Sequence, residues 1–166
     1  SPEYDMLLSY HPGVKTVFRL EPNLPAIEGS AVHLKKTLMN LVANAFEAQP
    51  GGGSITVETQ NRYIDRPLKG YEDIDKGEFV VLRVADEGPG MEADEVDRIF
   101  EPFFSTKPKH KGTGLGLAIA THAIAAHGGK IEVAKEPSEG TTFVISLPLA
   151  PQPTENGGPS GSDSGG

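Results

Sequence analysis

Residues 79–91 read FVVLRVADEGPGM, an alternating apolar strand that passes through two glycines toward a predicted helix. One face of this strand carries Val80, Leu82 and Val84. The same alternation places Asp86 on that apolar face, at the end of the strand. A carboxylate buried without a donor costs free energy, so this position favours a ligand with a hydrogen-bond donor, of which an adenine amino group is one. An ordinary strand-to-helix turn is the alternative, since Gly88 and Gly90 permit close backbone approaches in either case.

The longest periodic stretch of the chain is a predicted amphipathic helix at residues 31–48. Ser30 can cap its start, and Pro50 followed by three glycines ends it. Its apolar side comprises Leu34, Leu38, Leu41, Val42, Ala45 and Ala48, and its polar side Lys36, Asn40, Asn44 and Glu47. Asn40 and Asn44 are four residues apart and therefore lie one above the other. The polar stripe is either a solvated face or a place where an amide oxygen ligates magnesium on a nucleotide.

The remaining predicted strands and helices do not alternate regularly along the chain. Further strands are predicted at residues 14–20, 54–60, 130–135 and 141–147, and further helices at residues 92–100 and 114–126. Residues 61–77 are charged and aperiodic and are interpreted as a long excursion between two strands. Five strands and about three helices, with a hairpin late in the chain, favour an α+β two-layer sandwich over a strictly alternating parallel fold.

A second glycine-rich segment, GTGLGL at residues 112–117, opens the last predicted helix. Backbone N–H groups in such a run can point at an anion, and the helix start adds partial positive charge. It is not a Walker loop, because no Gly-Lys-Ser/Thr ends it, and Leu117 stands where a dinucleotide fingerprint needs glycine. Just upstream, three phenylalanines precede a loop with Lys107, Lys109 and Lys111. Either the phenylalanines fill the core and the lysines lie in a solvated loop, or the segment is a lid whose lysines contact phosphates.

Composition excludes several classes of protein. The chain has 166 residues, a formal net charge of −8 and no cysteine. The acidic balance argues against nucleic-acid binding, and the lack of thiols excludes disulfides and thiolate zinc sites and fits a reducing, cytoplasmic compartment. No apolar run reaches the length of a membrane span, and residues 1–5 lack the features of a signal peptide, so no membrane contact is expected. Residues 150–166 are rich in Pro, Gly and Ser and are predicted to be a flexible tail or linker.

Five motifs in order carry a resemblance to a known family. They are NLVANAFEA from residue 40, DEGPGM from 86, IFEPFFSTK from 99, GTGLGLAIA from 112 and EGTTF from 139. They resemble the N box, first glycine box, F box, second glycine box and last glycine box of the catalytic and ATP-binding domain of bacterial sensor histidine kinases. The resemblance covers about residues 12–148. It implies the Bergerat fold of the wider gyrase and chaperone ATPase superfamily, a mixed sheet of about five strands with about three helices on one face.

The resemblance also implies roles for individual residues. Asn44 would ligate magnesium with Asn40 nearby, and these two residues and Lys107 would be the catalytic set. Asp86 would bind the adenine amino group, Gly88 and Gly90 would shape the base pocket, and Thr142 would lie beside the base. The remaining nucleotide contacts would come from Phe104, Thr106, Lys107, Gly112, Thr113, Gly114, Leu115, Gly116 and Leu117. Glu87 stands where many members of the family have Asn, and we expect little effect from this difference.

The implied activity is transfer of the γ-phosphoryl group of Mg-ATP to a histidine of a separate dimerisation domain, with a response-regulator receiver domain as a further partner. None of the five histidines of the chain lies on a predicted helical hairpin. The phosphoacceptor is therefore expected outside this chain, which would by itself be monomeric. Residues 1–11 are interpreted as a remnant of the connection to that domain, and residues 12–149 as the ATP-binding catalytic domain. Whether the parent protein is membrane-anchored stays open from the sequence.

Two other functions stay open from the sequence. The first is an ATP-hydrolysing clamp of the gyrase or mismatch-repair type. Hydrolysing members of the superfamily carry a glutamate as general base four residues before the magnesium asparagine, and this chain has Asn40 there, whose amide cannot accept the proton. The second is a serine kinase of the anti-sigma-factor type, against which the long, Phe-rich F box argues.

Overall fold

The computed structural model of the chain describes residues 2–64, 77–101, 116–134 and 140–149. Four helices and five strands lie in these ranges. In chain order they are α1 (Pro2–Tyr10), β1 (Val14–Arg19), α2 (Ala31–Glu47), β2 (Gly53–Ile64), β3 (Gly77–Asp86), α3 (Ala93–Arg98), α4 (Gly116–Ala126), β4 (Lys130–Val133) and β5 (Thr142–Pro148). The predicted α+β sandwich is confirmed. No helix in the described ranges combines the length and apolar content needed to cross a bilayer.

The strands form one mixed sheet in the order β1-β2-β3-β5-β4. β1 runs parallel to β2, and the other three neighbouring pairs are antiparallel. The hairpin predicted late in the chain is the antiparallel β4–β5 pair. β3 occupies the middle of the sheet, so its last residue, Asp86, lies between β2 and the start of β5.

The core lies between one face of the sheet and the helices α2 and α4. Val57, Val84 and Phe143 form a row across three strands on this face. The helices contribute the other buried apolar side chains, among them Leu41, Phe46, Ala120 and Ile124. The other face of β3 points away from the helices. The alternation of side chains predicted from the sequence therefore determines which residues of β3 contact the helices.

Hydrogen bonds join helices α2 and α4 at two places. The Ser30 N–H donates to Nε2 of His127 over 2.9 Å, and Nδ1 of His127 lies 2.7 Å from the Ala123 carbonyl oxygen. Because a backbone N–H can only donate, Nε2 is the acceptor and Nδ1 carries the proton. Near the other end of α4, Nδ2 of Asn40 donates to the Gly116 carbonyl over 3.4 Å. The two helices therefore run antiparallel, with the start of α4 beside the middle of α2.

The predicted start of α2 is confirmed in detail. Oγ of Ser30 accepts a hydrogen bond from the His33 N–H over 3.2 Å, as an N-cap residue does. The helix ends at Glu47 with Ala48 as its C-cap, one residue before the predicted end. Local periodicity and capping chemistry were sufficient here because both act within a few residues of the chain.

Helix α1 was not predicted from the sequence, since residues 1–11 were interpreted only as a connection. Its inward side presents Tyr4, Leu7 and Leu8 to the core. The Tyr4 ring makes edge contacts with Phe18 of β1 and Phe46 of α2, each with ring centroids 6.3 Å apart. Nine residues give too little periodicity to recognise, and packing against the domain supplies the stability that such a short helix lacks alone.

The prediction of a long excursion at residues 61–77 is wrong at both of its ends. β2 continues through Asn61 to Ile64, and β3 begins at Gly77, so the two strands pair without interruption from Ile55–Asp86 to Ile64–Gly77. Polar residues such as Asn61 and Arg62 have weak strand preference, but their backbone groups are satisfied by the neighbouring strand. Only residues 65–76 of the expected excursion lie outside the described residues.

Candidate functional site

The carboxyl group of Asp86 is the centre of the site. Oδ1 accepts two backbone hydrogen bonds, from the Gly88 N–H over 2.8 Å and from the Thr141 N–H over 3.2 Å. The Asp86 N–H in turn donates to the Thr141 carbonyl oxygen over 2.9 Å. Within the described ranges no donor is bonded to Oδ2. One oxygen is thus fixed by the protein, and the other is left to a donor that a ligand can bring.

The surroundings of Asp86 disfavour its charge. Partial burial raises the pKa of Asp86 above its ordinary value, while the N–H groups of Gly88 and Thr141 act in the opposite direction and offset part of the rise. A carboxyl group kept at a position that penalises its ionised form is typical of a functional site.

Three glycines bring the backbone close around Asp86. A Cβ at Gly88 would lie 2.8 Å from the Ala48 carbonyl oxygen at the end of α2, and one at Gly140 would collide with the Asp86 carbonyl oxygen. Gly90 has φ +79°, in the region that side chains rarely adopt. Gly88 and Gly90 were predicted from the sequence to shape the base pocket. Gly140 was not, because its importance depends on a contact with Asp86, which is distant in the chain.

Asn40 and Asn44 lie on the part of α2 between the start of α4 and the Asp86 turn. Both side chains are partly buried. Asn40 contacts Gly116, the first residue of α4, and Ala48, one helical turn after Asn44, contacts Gly88. Helix α2 therefore contacts both the start of α4 and the turn after Asp86, and Asn44 lies between these two contacts along the helix.

The remaining residues assigned to the nucleotide are distributed unevenly. Gly116 and Leu117 are described, and the Leu117 side chain packs against the core. The other positions lie outside the described residues: Phe104, Thr106, Lys107, Gly112, Thr113, Gly114 and Leu115. For all nine residues the assignment to the nucleotide stays a prediction.

The strand register corrects which threonine faces the site. Thr142 pairs with Ala85, whereas the next pair, Phe143 with Val84, points into the core. Thr142 therefore lies on the sheet face opposite to the Asp86 side chain. Thr141 has the parity of Phe143, and its N–H is bonded to Asp86. With two consecutive threonines in the motif, only the strand register could show which of them faces the site.

The donor set fits a magnesium ion that is held mainly by a nucleotide. The described part of the chain contains no group of three or more His, Cys, Asp or Glu side chains that could hold a metal ion by themselves. Magnesium in nucleotide sites retains waters and phosphate ligands and takes one or two protein oxygens. The amide oxygen of Asn44, on the helix that contacts the turn after Asp86, would be such an oxygen.

Comparison with known proteins agrees with this arrangement of residues. Residues 29–151 match the family model of the histidine kinase-, DNA gyrase B-, and HSP90-like ATPases. The chain belongs to this ATPase family. The ATPase domain is 44% identical over 115 residues to the sensor kinase CckA of Brucella abortus, covering 69% of this chain and 12% of that protein. It is 40% identical over 135 residues to the sensory histidine kinase/phosphatase NtrB of Rhodobacter capsulatus, covering 80% of this chain and 36% of that protein.

Solved structures show the same likeness. The catalytic domain of histidine kinase ThkA superposes with a TM-score of 0.71 at 28% identity, covering 90% of this ATPase domain and 89% of that chain. The mycobacterial sensor histidine kinase MprB gives 0.68 at 26% identity, covering 91% and 92%. The resemblance inferred from the five motifs is confirmed, and these relatives do not favour a hydrolysing clamp or a serine kinase.

Proposed function

We propose that this chain binds Mg-ATP and donates the γ-phosphoryl group to a histidine of a separate dimerisation domain, within a two-component signalling protein. The observation that carries the proposal is the Asp86 carboxyl group, with Oδ1 held by two backbone N–H groups and Oδ2 left to a ligand. The naming of the relatives as sensor histidine kinases supports the transfer reaction.

Asp86 reads the base. Its Oδ2 accepts a hydrogen bond from the exocyclic amino group of adenine, and the nearby Thr141 lies on the same face of the sheet. Guanine would present a carbonyl oxygen to the carboxylate at that position, and two acceptors facing each other are repulsive. Gly88 and Gly140 allow the backbone segments around Asp86 to approach closely, because a Cβ at either position would meet a backbone carbonyl oxygen.

The phosphate end of the nucleotide lies toward Asn40, Asn44 and the start of α4. Asn44 would hold magnesium with Asn40 beside it. The bound ion neutralises phosphate charge, and the N-terminus of α4 adds partial positive charge in the same region. Lys107 and the glycines of the second glycine box would contact the phosphates, as the motif resemblance implies.

The chain acts on the reaction mainly by holding the nucleotide in place. A nitrogen of the acceptor histidine attacks the γ-phosphorus, the bond from phosphorus to the β–γ bridging oxygen breaks, and ADP leaves. Asn40 offers no base to a competing water, because its amide nitrogen is directed to the Gly116 carbonyl and an amide oxygen is not a useful proton acceptor. A receiver domain then takes the phosphoryl group from the histidine. A cytoplasmic location fits the ATP supply this reaction needs.

The proposal is tested with the purified chain and Mg-ATP. Calorimetry should show binding of ATP and ADP and weaker binding of GTP. Incubation with radiolabelled ATP should leave no stable label on the chain, whereas adding a histidine-bearing dimerisation domain of the parent protein should give acid-labile, base-stable label on that domain. Steady phosphate release by the chain alone would instead indicate a hydrolysing clamp, and acid-stable label on a protein substrate a serine kinase.

A further inference from the structure

The Gln49 side chain is a buried polar group that none of the assigned roles uses. It follows the C-cap of α2 and is 3% exposed. Nε2 donates to the Ala45 carbonyl oxygen over 3.1 Å, and Oε1 accepts from the Glu87 N–H over 3.1 Å. Both ends of the amide are therefore used, one on α2 itself and one on the turn that follows Asp86.

The bond to Glu87 acts at the residue directly after the carboxylate. Glu87 lies between Asp86 and Gly88, and the Gly88 N–H is bonded to Oδ1 of Asp86. The Glu87 side chain adds a second anchor, since its Oε1 accepts from the Ser54 N–H over 3.1 Å. The Asp86–Gly88 turn is thus held to α2 through Gln49, to β2 through Glu87, and to itself through Asp86.

Close packing leaves this arrangement little freedom. A Cβ at Gly53 would collide with Oε1 of Gln49, and a Cβ at Gly88 would lie 2.8 Å from the Ala48 carbonyl oxygen. The peptide between Asp86 and Glu87 can hardly rotate without losing the Gln49 bond and leaving a donor unpaired. Because the direction of the Asp86 carboxyl group depends on that peptide, Gln49 acts on it from across the turn.

We propose that Gln49 is a positioning residue for base recognition: its side-chain amide holds the turn after Asp86 against α2 and so directs the carboxyl group toward the adenine. This inference rests on the proposed binding of ATP. Gln49 touches neither the base nor the phosphates in this role, so its loss affects only the part of the ligand that Asp86 contacts.

The test compares two ligands in the presence of magnesium, ATP and inorganic triphosphate, which lacks the base. Gln49→Met keeps the volume and removes both hydrogen bonds. It should raise the Kd for ATP about ten-fold and leave the Kd for triphosphate unchanged. Gln60→Met is the matched control, because Gln60 lies on β2 and pairs with Val81 on the sheet face away from Asp86. It should alter neither Kd.

A double-mutant cycle separates positioning from support of the fold. In an Asp86→Asn background, Gln49→Met should change the Kd for ATP by much less than ten-fold, because the group it directs has been altered. Equal losses for ATP and triphosphate, or full additivity with Asp86→Asn, would overturn the inference. Failure of the unmodified chain to bind ATP would instead contradict the proposed function.

A measurement on the unmodified chain covers the case in which Gln49→Met does not fold. The Glu87 amide should exchange slowly with solvent before any nucleotide is added, since Gln49 already accepts its hydrogen bond. Exchange of that amide at the rate of an unprotected residue would show that the bond does not hold the turn, and would overturn the inference by itself.

Discussion

At Asp86, the stability of the fold and the proposed recognition of a base make opposite demands on the carboxyl group. Burial raises the pKa of its carboxyl group, so near neutral pH the ionised form costs the fold stability. The same ionised form is the acceptor that a base amino group needs. The stability of the domain therefore does not explain this residue, whereas the proposed recognition of a base does.

Asp86→Asn should weaken ATP binding by about 1–3 kcal/mol, because the group facing the adenine amino group can then be a donor. Calorimetry with ATP checks this loss. Asp97→Asn is the matched control, since it removes the same charge from an exposed position of α3. An ATP affinity equal to that of the unmodified chain would remove Asp86 from the site.

The pKa of Asp86 also predicts how stability depends on pH. A folded-state pKa above the ordinary value of 3.8 means that the folded protein holds this proton more tightly than the unfolded chain. The resulting stability is complete below that ordinary value and is lost as the pH rises through the folded-state pKa. The free energy of unfolding, relative to that of Asp86→Asn, should therefore increase as the pH falls from about 7 to about 4. Urea denaturation at several pH values measures it, and the opposite slope would contradict the raised pKa.

At the scale of elements, α2 organises the site. Ser30 caps its start, Asn40 meets α4, and Ala48 and Gln49 meet the turn after β3. Its apolar side is buried in the core, which leaves one polar side for the proposed nucleotide site. Packing of its apolar side in the core fixes the position of α2, and its polar side contributes residues to the candidate site.

Asn44→Ala should reduce the gain in ATP affinity that magnesium provides, because it removes the proposed protein oxygen on the ion. Titrations of ATP with and without magnesium measure this gain. Asn61→Ala serves as the control, since Asn61 is an exposed residue near the far end of β2. If both variants retain the full magnesium effect, Asn44 is not a ligand.

The approach of β5 to β3 gives a test of backbone packing. Gly140→Ala would place a Cβ against the Asp86 carbonyl oxygen and should lower the free energy of unfolding by about 1–3 kcal/mol. Gly51→Ala is the control, because nothing lies within 4 Å of a Cβ at that position. Urea denaturation of both variants measures the difference. Equal stability would mean that the two strands can separate here without cost.

At the scale of the whole molecule, α1 extends the domain beyond the residues that match the ATPase family. The match begins at residue 29, whereas α1 and β1 precede it and pack on the same core. The edge contacts of Tyr4 with Phe18 and Phe46 join three elements, so the N-terminal residues contribute to the stability of the whole domain.

Tyr4→Ala should lower the free energy of unfolding by about 1–3 kcal/mol, because a partly buried ring and its two aromatic contacts are lost. Tyr10→Ala should change it by less than about 0.5 kcal/mol, since the Tyr10 side chain on the same helix is 73% exposed. Thermal or urea denaturation distinguishes the two variants. A Tyr4→Ala variant as stable as Tyr10→Ala would show that α1 does not support the core.

Much of the fold could be predicted from short stretches of the sequence. The period of α2, its Ser30 cap and the alternation that ends at Asp86 are each set within one turn of helix or a few strand residues. The same local information identified the glycines of the first glycine box and the order of the five motifs. Helix α1 escaped prediction because nine residues carry little periodicity.

By itself, the sequence determined most of the elements, with helix α1 as the exception, because capping, periodicity and turn chemistry act between near neighbours in the chain. Only the tertiary structure decided that β2 continues to Ile64, that Thr141 and not Thr142 shares the face of Asp86, and that Gln49 holds the turn at Glu87. Strand register and side-chain contacts join residues dozens of positions apart, as Gln49 and Glu87 are 38 apart. They are selected by the packing of the whole core and by the need to satisfy each buried polar group.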